Sequence, residues 1–239
     1  MYKITVGICC YKQKEWLYRC LRSLVSQTMD KDEFEVIVVN DGSEEKLEDV
    51  CELMQEHLNI KLINNEKNVG LPSSLNKILK NSLGRYFVRV DCDDYVSKYF
   101  LHILALFLDM NRNLQATFCD YLKVNAVGNT IGRCDAQKEP IACGVMMTYE
   151  SLCNIDFYNE NFKMREGHEL MKRFKENKED IVCPYVNILP YKEQRTCQHF
   201  EQAGDDYNNE WECTNCLIGR STSMLCELKM TQQQIEEVA

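Results

Sequence analysis

Three carboxylates follow an apolar segment of the sequence directly, at Asp91, Asp93 and Asp94. Carboxylates this close together repel one another unless a cation or a hydrogen-bond donor compensates their charge. Hard oxygen ligands suit Mg²⁺ and Mn²⁺, and Mg²⁺ usually takes one or two protein carboxylates and completes its shell with substrate phosphates and water. The cluster therefore predicts a divalent metal, Mn²⁺ or Mg²⁺, bound with a phosphate-bearing ligand. The alternative is a solvated acidic turn.

A second polar turn follows the β-branched segment Phe34 to Val39 and contains Asp41 and Gly42. A short carboxylate at a strand end can accept hydrogen bonds from a base or a ribose, while glycine lets the backbone turn tightly. An aspartate before a glycine is also a common turn residue that needs no ligand, and both interpretations can hold together. A third polar loop opens at Asn68, and it is a candidate for the same ligand site.

Strand and helix patterns alternate along the first part of the chain. Apolar or β-branched runs predict strands at Ile4 to Cys10, Phe34 to Val39, Ile60 to Ile63 and Tyr86 to Val90. Apolar residues at helical spacing predict helices between these strands, and further helices are predicted at Phe100 to Asn111 and near His168 to Lys175. This alternation implies an α/β fold with a mostly parallel sheet and helices on both faces.

Ligands of such sheets bind at the carboxyl ends of the strands. Tyr11, Asp41, Asn68 and Asp91 all fall at predicted strand ends, so we expect them to lie along one edge of the sheet. Beyond residue 111 the pattern is less regular, with strand structure predicted at Ala116 to Val124. The first part of the chain is therefore predicted to be built around a ligand.

Composition excludes several classes of function. The formal net charge of -9 over 239 residues argues against a nucleic-acid partner. The sequence has no apolar run long enough to span a bilayer and begins directly with a strand pattern, so at most peripheral membrane contact is expected. Fourteen cysteines without an export signal predict reduced thiols and a cytoplasmic protein. Cys213 and Cys216 form a CxxC pair without a second pair at zinc-ribbon spacing, which leaves zinc binding open. The sequence does not specify the oligomeric state.

The segments just described resemble, in order and spacing, the family-2 glycosyltransferases of the GT-A fold. The resemblance is carried by Val6 to Tyr11, Glu35 to Ser43, Asn68 to Gly70 and Gly84 to Asp94. It implies a Rossmann-like, mostly parallel sheet. Residues 1–110 would form the nucleotide-sugar-binding half, and residues 111–239 the acceptor-side half of the same domain with a C-terminal extension.

The resemblance also implies roles for the residues at the sheet edge. Tyr11, Asp41 and Asp91 would hold the nucleoside, with Asn68 and Cys92 as further nucleotide-binding residues. Asp93 would hold the metal on the diphosphate. Related sequences carry a late histidine that faces the diphosphate, which makes His199 a candidate metal residue, although a surface histidine is the alternative.

A weaker match runs from Met164 to Phe174 and looks like the stretch that supplies the catalytic base in the family. Glu169 stands where the family has aspartate. Glu166 is the rival base, one helical turn earlier. The alternative is an exposed helix start, where the helix dipole favours acidic residues.

The function implied is a metal-dependent, inverting glycosyltransferase. It would move a sugar from a nucleotide-diphosphate donor, with UDP-sugar expected, to a saccharide or glycolipid acceptor in bacterial surface polysaccharide synthesis. Gly167 and His168 depart from the family pattern, so a nucleotide-sugar-binding protein without catalysis is the alternative. A sugar nucleotidyltransferase is disfavoured because Cys9 to Gln13 contains no glycine-rich phosphate loop.

Overall fold

The computed structural model describes residues 2–125, 128–162 and 164–177, together with the backbone of short strands at 181–182, 187–188 and 226–227. A seven-stranded sheet in the order β3-β2-β1-β4-β8-β5-β9 is its main feature. The strands of that sheet are β1 (Ile4–Cys10), β2 (Phe34–Asn40), β3 (Ile60–Asn64), β4 (Tyr86–Arg89), β5 (Ala116–Thr117), β8 (Met146–Thr148) and β9 (Ile181–Val182). Two smaller pairs are β6 (Tyr121–Val124) with β7 (Thr130–Cys134), and β10 (Asn187–Ile188) with β11 (Cys226–Glu227).

Helices cover both faces of the main sheet. They are α1 (Lys14–Val25), α2 (Glu48–Met54), α3 (Leu71–Leu79), α4 (Phe100–Met110), α5 (Tyr149–Asn154) and α6 (Glu166–Glu176), with a short 3₁₀ helix at Lys31–Glu33. One apolar core packs α1, α2 and α4 against the sheet, and a second packs α3, α5 and α6 against its other face. Among the described residues, no helix combines the length and apolar character needed to cross a membrane.

Strand β2 explains why both faces are covered. Successive side chains of a strand point to opposite faces of the sheet. Val36 and Val38 pack into the first core, whereas Ile37 and Val39 pack into the second, and all four are fully buried. A strand that is apolar on both sides is stable only between two layers of helices, as the sequence predicted.

The sheet is mostly parallel, in agreement with the sequence. Strands β1, β2, β3 and β4 run parallel, as do β5 and β9, whereas β8 is antiparallel to both of its neighbours. The first four strands begin where the sequence placed them, and their ends differ from the prediction by one residue at most. The predicted α/β fold with a mostly parallel sheet is confirmed.

The strand structure predicted at Ala116 to Val124 is divided. β5 stays in the main sheet, whereas β6 leaves it and pairs antiparallel with β7. Asp120 lies at the break, where its carboxylate accepts hydrogen bonds from the Ala136 amide at 3.1 Å and from the Arg133 side chain at 2.9 Å. These bonds tie the chain to the hairpin instead of to the sheet.

Parallel register brings the ends of three strands to one edge. Cys10 is level with Asn40, and Asn40 is level with Asn64. Backbone bonds continue beyond the strands, because the Asp41 amide donates to the Cys10 carbonyl at 2.9 Å and the Val90 amide donates to the Gly7 carbonyl at 3.0 Å. Polar residues that follow these strands therefore share this carboxyl edge.

Candidate functional site

Tyr11 marks the start of the site, directly after β1. Its side chain is exposed, with 40% of the residue surface accessible. The Lys12 ammonium lies 5.3 Å from the centre of the Tyr11 ring, and Lys12 adopts a left-handed backbone with φ of 54°. The tight turn after β1 thus leaves an aromatic ring exposed at the carboxyl edge.

Asp41 organises the neighbouring loop. Only 4% of its surface is exposed, and one of its carboxylate oxygens accepts from the Val69 amide at 3.0 Å and from the Asn65 side chain at 2.9 Å. The other oxygen accepts from the Gly70 amide at 3.0 Å. Asp41 therefore fixes the loop that contains Asn68, which is exposed at the same edge.

Gly42 allows this arrangement. Its φ is +72°, and a Cβ atom added there would lie 2.1 Å from the backbone carbon of Lys67. A larger residue would be strained in this conformation and would also displace the Asn68 loop. The turn interpretation of this glycine and the ligand-edge interpretation of Asp41 are thus compatible.

Asp91 is held by a buried arginine. Arg89 Nε donates to Asp91 Oδ1 at 2.5 Å and Arg89 Nη2 donates to Asp91 Oδ2 at 3.1 Å, which is a two-point ion pair. Arg89 Nη1 donates to Glu166 Oε1 at 2.7 Å. Burial acts to lower the pKa of Arg89, but Asp91 and Glu166 raise it well above its ordinary value, so the guanidinium stays charged.

Asp93 and Asp94 have different environments. Asp93 is partly exposed, and its backbone carbonyl oxygen accepts from Arg19 Nη2 at 3.2 Å. Asp94 is fully buried and accepts a bond from the Cys143 thiol at 3.0 Å. Burial and the nearby Asp94 charge raise the pKa of Cys143, so this thiol remains a protonated donor.

The cluster has the chemistry of a hard cation site. Ligand atoms of Asp91, Asp94 and Cys143 lie within 4.8 Å of one another, and the partly exposed Asp93 is adjacent in sequence. Carboxylate oxygens fit Mn²⁺ or Mg²⁺, and a protonated thiol does not compete for such ions. Cys92 differs from its neighbours, because its side chain is buried in the first core and its thiol donates to the Gln13 carbonyl at 3.6 Å.

The two candidate bases lie in different surroundings. Glu166 is the first residue of α6 and is joined through Arg89 to Asp91. Glu169 lies one turn later, and its two oxygens accept from Arg173 Nε at 2.6 Å and Nη2 at 2.7 Å. The structure therefore links Glu166 directly to the aspartate cluster and pairs Glu169 within its own helix.

Arg173 also fixes the turn that precedes α6. Its guanidinium donates to the carbonyl oxygens of Ile155 and Phe157. Asp156 and Phe157 both have positive φ, 59° and 57°, which is unfavourable for residues other than glycine. The Arg173 bonds compensate for this strain and set the path by which the chain reaches Glu166.

Two contributors to the site were not identified from the sequence. Arg89 could have been identified, because an arginine inside an otherwise apolar strand must find anionic partners when it is buried. Cys143 could not, since a cysteine in an irregular segment does not indicate its neighbours. His199, Cys213 and Cys216 lie outside the described residues, so their predicted roles remain predictions.

A family model covers this edge and most of the described chain. The model for Glycosyl transferase family 2 matches residues 5–167, which is more than half of the sequence. The chain belongs to this family. The match includes the predicted nucleoside residues and Asp93, and it reaches the first turn of α6.

Individual relatives match shorter parts. An uncharacterised glycosyltransferase of Haemophilus influenzae is 28% identical over 162 residues, which are 63% of this chain and 49% of that protein. The poly(ribitol-phosphate) beta-N-acetylglucosaminyltransferase TarS of Staphylococcus aureus is 36% identical over 110 residues, 46% of this chain and 19% of TarS. The family-2 chain thus spans less than half the length of these curated relatives.

Solved structures share the fold. Residues 1–349 of S. aureus TarS, crystallised with UDP-GlcNAc, superpose with a TM-score of 0.74 at 23% identity, covering 84% of this chain and 61% of that chain. The mannosyltransferase PcManGT of Pyrobaculum calidifontis, in complex with GDP-Man and Mn²⁺, gives a TM-score of 0.66 at 16% identity, with coverages of 84% and 60%. At these identities the likeness establishes the GT-A fold.

Proposed function

We propose that this family-2 protein transfers a sugar from a UDP-sugar to a saccharide or glycolipid acceptor with inversion at the anomeric carbon. The observation that carries the proposal is the Asp91–Arg89–Glu166 link, which joins the predicted donor edge to the first turn of α6. A carboxylate beside a donor site can take the proton of an attacking hydroxyl. The arrangement therefore places a candidate base beside the proposed donor site, and a displacement reaction needs both.

The donor nucleoside is proposed to bind along Tyr11, Asn68 and Asp91. Tyr11 offers an exposed ring for a base, and Asp41 fixes the Asn68 loop at the same edge of the sheet. Cys92 would contribute through its backbone, because its thiol faces the core. The UDP-GlcNAc complex of TarS supports a uridine donor for this chain.

Asp93 is proposed to hold Mn²⁺ or Mg²⁺, with His199 as a further candidate. A divalent ion at this position would neutralise the charge that develops on the departing diphosphate. The partial exposure of Asp93 fits this role, because a metal that also binds substrate phosphates must be reachable from the ligand side. The Mn²⁺ complex of PcManGT supports the choice of ion.

Glu166 is proposed as the catalytic base. A general base needs a lone pair directed at the proton that it takes. Both oxygens of Glu169 accept bonds from Arg173, whereas only one oxygen of Glu166 accepts a bond from Arg89 among the residues that the structure describes. Glu166 is also the one linked to the donor edge, which favours it over Glu169.

The reaction then proceeds in a single displacement. Glu166 takes the proton from an acceptor hydroxyl as that oxygen attacks the anomeric carbon from the side opposite the diphosphate. The bond to the diphosphate breaks, and UDP leaves with the bonding electron pair. One displacement inverts the configuration at the anomeric carbon.

The acceptor and the cellular setting are proposed from the relatives. TarS acts on poly(ribitol-phosphate) by its name, which supports a surface polysaccharide or a related glycolipid as acceptor. Residues 1–110 would bind the donor, and residues 111–239 would face the acceptor. A cytoplasmic enzyme that touches the membrane at most peripherally is consistent with this assignment.

A second candidate function is nucleotide-sugar binding without transfer. It is favoured by one observation, namely that both candidate bases are ion-paired to arginines. Guanidinium nitrogens that occupy carboxylate oxygens leave fewer lone pairs to accept a hydrogen bond from an acceptor hydroxyl.

Turnover separates the two candidates. Purified protein would be incubated with UDP-GlcNAc or UDP-glucose, Mn²⁺ and a poly(ribitol-phosphate) acceptor, and UDP release would be followed. The transferase predicts acceptor-dependent release, whereas the binding protein predicts calorimetric binding of UDP-sugar with no release above the blank. Absence of both binding and release would exclude both functions for these two donors.

A further inference from the structure

Arg89 is a buried cation at the end of an apolar strand. The rest of β4, from Tyr86 to Val88, is apolar and buried, and Arg89 itself is only 8% exposed. Its backbone is held in place, because its carbonyl oxygen accepts from the Gly144 amide at 2.8 Å. Burying a guanidinium is costly unless anionic partners compensate for the lost hydration. The apolar neighbours of Arg89 in β4 cannot compensate for this charge, so its partners must come from other parts of the chain.

The guanidinium divides its donors between two elements. Nε and Nη2 bind Asp91, which follows β4, and Nη1 binds Glu166, which begins α6. The planar fork of arginine permits this division, whereas the single ammonium of lysine cannot bind one carboxylate at two points and still reach another. Residues 77 positions apart in sequence are thereby fixed relative to each other.

Charge makes this link necessary. Asp91, Asp93, Asp94 and Glu166 bring several carboxylates to one region, and like charges at short range repel. Without the guanidinium, Glu166 would gain by turning away from Asp91 toward solvent. With it, Glu166 is retained beside the aspartate cluster.

We propose that Arg89 is a positioning residue for the transfer reaction, which holds the Glu166 carboxylate at the distance from the donor edge that proton transfer requires. This inference rests on the proposed function and names a residue that acts through Glu166. Displacing a catalytic group by about 1 Å can reduce a rate by about a hundredfold, so the link is expected to affect turnover more than donor binding.

The first test compares Arg89→Lys and Arg89→Met in the full chain, with Arg85→Met as the control. Arg85 directly precedes the same strand and forms an exposed ion pair with Asp109. Both Arg89 variants are expected to lose about tenfold to a hundredfold in kcat, with a smaller increase in donor KM because Asp91 also loses its ion pair. The control should retain wild-type kcat. A wild-type kcat in folded Arg89→Met would overturn the inference.

A double variant tests whether Arg89 acts through Glu166. If it does, Arg89→Met should cause no further loss of kcat once Glu166→Gln is present, because the group that it positions is already inactive. Equal fold losses in the wild-type and Glu166→Gln backgrounds would mean that Arg89 acts independently of Glu166, and would overturn the inference.

A readout without turnover keeps this inference separate from the proposed function. Hydrogen exchange of the α6 backbone amides, beginning with the Glu169 amide that donates to the Arg165 carbonyl, should accelerate in Arg89→Met and stay unchanged in Arg85→Met. If the wild-type protein transfers no sugar, the proposed function fails, yet accelerated exchange still supports the structural part of the inference, that Arg89 fixes the start of α6 beside the aspartate cluster. Unchanged exchange in a folded variant would overturn it. Arg89→Lys, which keeps the charge, serves for this measurement if Arg89→Met does not fold.

Discussion

Glu169 and Arg173 lie one turn apart in α6 and form a two-point ion pair, with nitrogen to oxygen distances of 2.6 and 2.7 Å. The same guanidinium donates to the Phe157 carbonyl at 2.7 Å and so reaches the strained turn before the helix. Glu169 therefore stabilises the approach to α6, whereas Glu166 at the start of the helix is linked to Asp91.

The first prediction separates the two glutamates. Glu166→Gln should reduce kcat by about a hundredfold to ten-thousandfold, because the amide keeps the size of the side chain but cannot accept the proton. Donor binding, measured by calorimetry with UDP-GlcNAc and Mn²⁺, should persist.

Glu169→Gln is the matched variant for this prediction. It should lower the free energy of unfolding by about 1 to 3 kcal/mol, because it weakens hydrogen bonds to a charged partner, and should reduce kcat far less than Glu166→Gln. Urea unfolding measures the first effect. The opposite result, a stable and inactive Glu169→Gln with an active Glu166→Gln, would return the role of base to Glu169.

The second prediction concerns the metal. Asp93→Ala should abolish the Mn²⁺ stimulation of turnover while leaving the melting temperature unchanged in the absence of ligand, because its partly exposed side chain contributes little to the core. Turnover would be measured across a Mn²⁺ titration. Glu52→Ala, which removes an exposed carboxylate of α2, is the control for general loss of charge. An unchanged Mn²⁺ response in Asp93→Ala would remove this residue from the metal site.

The first part of the fold could be predicted because its signals are local. The apolar run of β1 and the β-branched run of β2 each end at polar turn residues, and parallel pairing then brings Tyr11 and Asp41 to one edge. These features need no knowledge of distant residues, and the strand bounds agree with the prediction closely.

The link between Arg89 and Glu166 could not be predicted in the same way. Its partners are 77 residues apart, and nothing in either segment specifies the other. The pairing of Glu169 with Arg173 is different, because opposite charges four residues apart on a helix lie on the same face. That spacing is visible in the sequence, but the family resemblance instead implied Glu169 as the catalytic base.

The third prediction uses the pKa of Asp109. Burial acts to raise this pKa, but hydrogen bonds from Lys3 and Tyr86 and the charge of Arg85 lower it below its ordinary value of 3.8. A lowered folded-state pKa means that the stabilisation is present above the unfolded-state pKa and is lost as pH falls through the folded-state value.

Asp109→Asn should therefore be less stable than wild type by about 1 kcal/mol near neutral pH, a modest figure because the carboxylate is partly exposed. The difference should shrink as the pH is lowered below 3.8, where the wild-type carboxyl also loses its charge. Urea unfolding across this pH range measures it, with the exposed Glu66→Gln as control. A difference that stays constant with pH would contradict the assignment.

The last prediction concerns the contact between the first turn of α6 and the segment before β8. A Cβ atom added at Gly167 would lie 2.3 Å from the Ala142 Cβ, closer than two carbon atoms can pack. Glycine to alanine within a helix ordinarily stabilises it by about 1 kcal/mol, but overpacking costs about 1 to 3 kcal/mol, so the clash should dominate. Gly167→Ala is expected to lower stability and, by displacing the adjacent Glu166, to reduce kcat. Ala142→Gly in the same chain removes the opposing atom and should restore both, as measured by urea unfolding and UDP release. A stable, fully active Gly167→Ala single variant would show that α6 does not pack this closely against residue 142.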